Sequence, residues 1–214
     1  TWAMQRSWKP CLLIAFGFLF ILNQDYWEET TESLTLVLSA CVVCMGVGVP
    51  IGIAAAHRPR LYAWMRPVLD LMQTLPTFVY LIPAIVFFGI GMVPGLVATV
   101  IFVLPAPIRL TQLGVSSTPK ELLEAADAFG ATKRQKLLKV ELPSALPQIM
   151  AGLNQTIMLS LSMVVIAAPV GADGLGVPVV RALNTVNAAK GFESGLVIVG
   201  VAIMLDRMLR VGSK

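Results

Sequence analysis

Apolar and polar residues fall in long blocks along this chain, not at the two-residue period of half-buried strands or the 3.6-residue period of soluble helices. Six apolar runs stand out, at about 11–22, 33–56, 68–90, 93–113, 145–168 and 194–209, with short polar stretches between them. A helix that crosses a bilayer needs about 20 apolar residues, so the last five runs predict spans. The first is shorter and fits either a short span or the core of a signal peptide. The residues after it, Asn23-Gln24-Asp25-Tyr26-Trp27, are bulky and polar and offer no small-residue cleavage site. Trp2, Trp8, Tyr26 and Trp27 flank the run as interfacial aromatics do, and it is read as a span. The pattern predicts an all-α integral membrane fold, a helical bundle of about six transmembrane helices forming a single domain over residues 1–214.

Composition agrees with the pattern. Of the 214 residues 57% are hydrophobic and 13% charged, whereas a soluble domain carries about a quarter charged residues. Six spans and their loops leave little length over for a soluble catalytic domain, so such chemistry is expected from another chain. The net charge of +4 could suggest nucleic acid, but membrane proteins concentrate Lys and Arg in cytoplasmic loops for insertion alone. All of the 16 basic residues except Arg181 and Lys190 fall on one side of the six-span ladder. That side includes Arg6 and Lys9, the Arg58–Arg66 loop, the loop from Arg109 to Glu141, and the tail with Arg207, Arg210 and Lys214. The positive-inside rule therefore predicts a multi-pass protein with both termini cytoplasmic.

Chemistry within the spans is sparse. Asp70, Arg109 and Asp206 lie near span ends and none at mid-bilayer, where a pump or ion-coupled carrier usually needs one. Proline and glycine, such as Pro50, Pro76, Pro147, Gly48, Gly52 and Gly152, fit close helix packing through small residues. Cys11, Cys41 and Cys44 sit in apolar runs and read as small hydrophobes; no metal site is expected. His57 beside Arg58 reads as a solvated surface histidine. Gly171, Gly174 and Gly176 follow no strand, and no P-loop lysine motif occurs, so no cofactor is expected on this chain and it is not read as an enzyme. Gln73, Thr77 and Tyr80 fall at i, i+4 and i+7, one face of the third span. With Asn154 and Gln155 in the fifth, they fit either interhelical hydrogen bonding or a translocation pathway.

The stretch 117–144 is the most informative. Thr118-Pro119-Lys120-Glu121 reads as a capping box with proline at the first helical position. Leu122, Leu123, Ala125, Ala126 and Phe129 then give a short helix one apolar face. Gly130 ends it in a left-handed conformation, and Thr132-Lys133-Arg134-Gln135 opens a second capped helix that runs to Leu142 and stops at Pro143. Such a knob fits either docking in a partner's groove or lying on lipid.

The spacing Glu124-Ala125-Ala126, Gly130, Val140, Leu142-Pro143 closely resembles the EAA loop of ABC importer permeases, with valine where isoleucine is commoner. Met72 to Pro83, Asn154-Gln155-Thr156 and Leu161 to Ala167 look like the glycine betaine/proline betaine permeases, whose relatives carry choline, carnitine or trimethylamine N-oxide. The resemblance implies a type I ABC importer permease whose loop 117–144 is the coupling element. It further implies a second copy of the permease, two cytoplasmic ATPase subunits that bind ATP and Mg, and an extracytoplasmic substrate-binding protein, in a bacterial inner membrane. The segment from Pro169 to Gly176 departs from the family's Gly-Gly-Leu-Gly ending by Pro169 and Asp173, which leaves the particular substrate open. An importer for an amino acid such as methionine, and a self-sufficient channel or secondary carrier, are the alternatives.

Overall fold

The computed structural model describes residues 8–209, which form helices joined by short turns, with no strand among them. In chain order these are α1 (Trp8–Asn23), α2 (Trp27–His57), α3 (Pro59–Thr74), α4 (Phe78–Phe88), α5 (Met92–Val103) and α6 (Pro105–Ser116). They continue as α7 (Lys120–Ala128), α8 (Lys133–Lys136), a π turn (Leu137–Glu141), α9 (Leu142–Ala167), a 3-10 turn (Ala168–Val170), α10 (Gly176–Asn184) and α11 (Ala188–Leu209). Trp2, Arg6, Arg210 and Lys214, and the side chains of Trp8, Lys9 and Cys11, lie outside the described residues.

Four helical stretches, Trp27–His57, Met92–Ser116, Lys133–Val170 and Ala188–Met208, are long and apolar enough to cross a membrane. Among the described residues two of the six expected runs do not meet that mark. The first run forms the 16-residue helix α1, Trp8–Asn23, short of the about 20 residues a span usually needs, as its sequence already indicated. The third run is broken: α3 stops at Thr74 and α4 starts at Phe78, and the pair raises the count to five only if taken as one span. Pro76 explains the break, since a residue before proline is pushed out of the helical region, and Leu75 sits at φ −67°, ψ 137°. Pro50 and Pro147 lie inside α2 and α9 without ending them.

The chain packs as two compact units that alternate along the sequence, one holding the described residues up to Cys41, Pro76–Ile101 and Ile157 onward, the other Val42–Leu75 and Phe102–Thr156. In the first, α11 packs on α1 and α10, with Ile21, Leu36, Leu81, Met163, Leu175 and Val197 buried. The Leu175 N–H donates to Ser33 Oγ at 2.8 Å, and Gly174 at φ +115° lies so close that a Cβ there would sit 3.1 Å from the Ser33 nitrogen. Gly174 therefore serves packing. Phe16, Val86 and Phe87 of this unit are about three-quarters or more exposed, as suits side chains solvated by hydrocarbon.

In the second unit α3 packs on α6, and Ala55, Leu69, Val103, Ile108 and Ala145 are buried. Small residues let backbones meet: a Cβ on Gly52 would fall 2.7 Å from the Ile108 carbonyl oxygen. Arg109 lies within α6, as the run 93–113 implies, and pairs with Asp70 at 2.5 Å. Two ionisable residues near a membrane are tolerated best when each neutralises the other.

Helix α10 ends on a residue at odds with its geometry. Val186 has φ +53°, its N–H bonds the Leu183 carbonyl and the Asn187 N–H the Ala182 carbonyl, the pattern of a Schellman turn that glycine normally closes. Its side chain is 90% exposed, so packing does not repay the strain. Val186→Gly is expected to stabilise the folded chain by roughly 0.5–1 kcal/mol, the left-handed penalty less the extra freedom of unfolded glycine. Thermal unfolding in detergent checks this, and an unchanged or lower midpoint refutes it.

Candidate functional site: the segment between α6 and α9

Helix α7 starts at Lys120 behind Pro119, and no side chain caps it. The capping box expected at Thr118 is not formed: the helix begins one residue later than that reading requires, and Thr118 Oγ1 is buried without a partner. Phe129 closes α7 and Gly130 follows at φ +71°. The Gly130 N–H bonds the Asp127 carbonyl at 2.9 Å and the Ala131 N–H the Ala126 carbonyl at 3.0 Å, completing a Schellman turn. A Cβ on Gly130 would meet nothing within 4 Å, so only the backbone conformation demands glycine there.

The second capping box is present in full. Thr132 Oγ1 accepts from the Gln135 N–H at 3.3 Å, and Gln135 Oε1 accepts from the Thr132 N–H at 2.8 Å. Lys136 reaches back to Asp127, with Nζ 2.5 Å from Oδ1 and 2.7 Å from Oδ2, and braces α8 against α7. The expected stop at Pro143 is wrong: from Lys133 the chain runs helically to Val170. The ring of Pro143 would press on the Lys139 carbonyl four residues back. The π turn at Leu137–Glu141 widens the helix at that carbonyl, so the chain passes proline without breaking.

Between the two arms lies a groove of about 470 Å³, lined by Leu122, Ala125, Ala126 and Phe129 on one side and Lys139, Val140 and Pro143 on the other. Four of the seven residues singled out by spacing, Ala125, Ala126, Val140 and Pro143, meet in it. Leu142 is half-buried beside it, Gly130 closes the turn, and Glu124 is exposed on α7. Among the described residues Asp127, not Glu124, makes the internal brace, which leaves the Glu124 carboxylate facing outward. Phe129, read as part of the apolar face of this helix, is 91% exposed. Sequence reasoning also missed His57. It is half-exposed, and both ring nitrogens are engaged, Nδ1 with the Ile53 carbonyl at 2.9 Å and Nε2 with Glu141 at 2.8 Å. No local signal could have found a pair 84 residues apart.

The polar residues of the third run do not lie on one continuous helix. Gln73 belongs to the last turn of α3, Thr77 to the break and Tyr80 to the first turn of α4; Pro76 removes the continuous helix that the i, i+4, i+7 spacing presumed. Asn154 is half-buried and Gln155 exposed, both on α9. At the start of α2, burial first, then the Glu193 and Glu29 carboxylates, push the Tyr26 phenol above its ordinary range, marking an acidic end of the first unit.

Comparison with known proteins fixes the family. Residues 48–206 match the family described as binding-protein-dependent transport system inner membrane component. The chain is 50% identical over 209 residues to the glycine betaine/carnitine transport permease protein GbuB of Listeria monocytogenes, covering 98% of this chain and 74% of that protein. It is 52% identical over 197 residues to the glycine betaine transport system permease protein OpuAB of Bacillus subtilis, covering 92% and 70%. In fold it resembles an inward-facing structure of the MetNI methionine ABC transporter, with TM-score 0.75 at 23% identity over 90% of this chain and 96% of that one. A helical chain with several membrane-crossing stretches and matched over 48–206 belongs to the binding-protein-dependent transport system inner membrane components.

Proposed function

We propose that this chain is the membrane-spanning subunit of an ATP-driven importer that passes a small quaternary or methylated amine osmolyte, such as glycine betaine, proline betaine, choline or trimethylamine N-oxide, into the cytoplasm. The observation that carries the reading is the identity of half or more to two glycine betaine permeases across at least 92% of the chain. A second copy of the permease, two ATPase subunits and a substrate-binding protein complete the transporter. The segment 117–144 is its coupling element, with Glu124, Ala125, Ala126, Gly130, Val140, Leu142 and Pro143 meeting the ATPase. An apolar groove rimmed by an exposed aromatic is what a docking contact needs, and the Schellman turn and the Asp127–Lys136 brace keep its shape. Gln73, Thr77, Tyr80, Asn154 and Gln155 are proposed to contribute polar contacts along the pathway.

The test is reconstitution with the cognate ATPase and binding protein. Labelled glycine betaine is expected to accumulate with ATP, and methionine is not. Uptake without the ATPase, or uptake of methionine in place of the betaine, overturns the reading.

Orientation follows from the charge asymmetry, with both termini and the coupling segment cytoplasmic. A cysteine at Glu29 is expected to react with an impermeant maleimide on intact cells, and one at Lys136 only after permeabilisation. Reversed labelling refutes this topology.

A further inference from the structure

The coupling segment is held together by its own side chains but tied elsewhere at one point. Its polar side-chain contacts are local, Thr132 with Gln135 and Asp127 with Lys136. Among the described residues, the one side-chain polar bond from 118–144 to a distant part of the sequence is Glu141 to His57. That bond joins the π turn, next to Val140 and the Leu142-Pro143 pair, to the last turn of α2.

The chemistry of this contact is unusually constrained. A carbonyl oxygen only accepts, so the Nδ1 contact to Ile53 requires the hydrogen on Nδ1. The 2.8 Å contact from Nε2 to Glu141 Oε2 needs a proton as well, carried by an imidazolium that donates or by a carboxylic acid that donates to the ring. The pair therefore holds one shared proton. Glu141 is 7% exposed, and a buried carboxyl group deprived of its partner is costly. The π turn departs here from the tighter α-helical ladder, and this bond links it to α2.

We propose that His57 and Glu141 are a positioning pair for coupling: their bond makes the end of α2 follow the coupling segment when the ATPase moves it. The inference rests on the assignment of 117–144 as the coupling element.

The test uses the complete importer in liposomes, scored as glycine betaine transported per ATP hydrolysed. Glutamine places its amide nitrogen near the position of Nε2, whereas asparagine places it near Nδ1. His57→Gln is therefore expected to keep the wild-type ratio, and His57→Asn, which retains only the Ile53 contact, to lower it on the order of tenfold, as loss of one charge-assisted hydrogen bond implies. Glu141→Leu removes the bond without leaving a buried charge and is expected to match His57→Asn. The double variant is expected to be no worse than either single one, as for two halves of one interaction.

Wild-type ratios in His57→Asn and Glu141→Leu overturn the proposal, as does a lowered thermal midpoint with the ratio unchanged, the mark of a purely structural contact. Gly130→Val separates the two levels. If it loses uptake and substrate-stimulated ATP hydrolysis together while the pair variants keep the wild-type ratio, the pair fails and the coupling element stands; if it transports and hydrolyses at wild-type rates, both fail.

Discussion

Gly130→Val is expected to abolish glycine betaine uptake and substrate-stimulated ATP hydrolysis together, while Gly130→Asn retains most of both. The turn holds φ at +71°, where a residue with a side chain costs about 1–2 kcal/mol and a β-branched one more, while asparagine visits this region readily. Nothing lies within 4 Å of the added Cβ, so the cost is one of backbone conformation and not of collision. Each 1.4 kcal/mol is about tenfold in the population of the docking shape. Valine should thus reduce uptake by more than tenfold with the protein still in the membrane, as measured by flotation and by transport into vesicles. Equal uptake by the valine and asparagine variants would show that the left-handed turn does not govern coupling.

The second large effect is expected at the exposed rim. Phe129 is 91% exposed at the edge of an apolar groove, a position where an aromatic anchor contributes about 2 kcal/mol or more to an interface. Phe129→Ala should therefore weaken retention of the ATPase by about thirtyfold. Glu124→Lys should act differently: it reverses a charge that no internal partner holds among the described residues, and so slows association and sharpens its dependence on salt. Copurification at rising salt reads both. Full retention of the ATPase by the two variants would remove α7 from the docking surface.

Much of this was legible in the sequence because the relevant physics is local. Glycine after an apolar helix gave the turn at Gly130, and Thr132 three residues before Gln135 gave the capping box. The failures have one kind of cause. Pro76 and Pro143 look alike in the sequence, yet one ends a helix and the other is absorbed by a π turn, and what decides is whether neighbouring backbone can rearrange around the ring. The capping box at Thr118 failed by a single residue of register. His57–Glu141 and Asp70–Arg109 were invisible because no periodicity links residues so far apart.

The π turn also changes how the long helix must be read as a rotor. An α-helix advances about 100° per residue, and a π turn carries one residue beyond the α-helical count. Everything before Leu137 is therefore turned by about 100° relative to an unbroken helix continuing into Leu142–Ala167. The Lys133–Lys136 turn and the membrane stretch thus keep separate azimuths. Excising one residue from Leu137–Glu141 should return this stretch to the α-helical count and leave Lys136 facing Asp127, whereas excising one from the α-helical part of Leu142–Ala167 should swing everything before it by about 100°, so the register of this helix is a phase setting between its two ends.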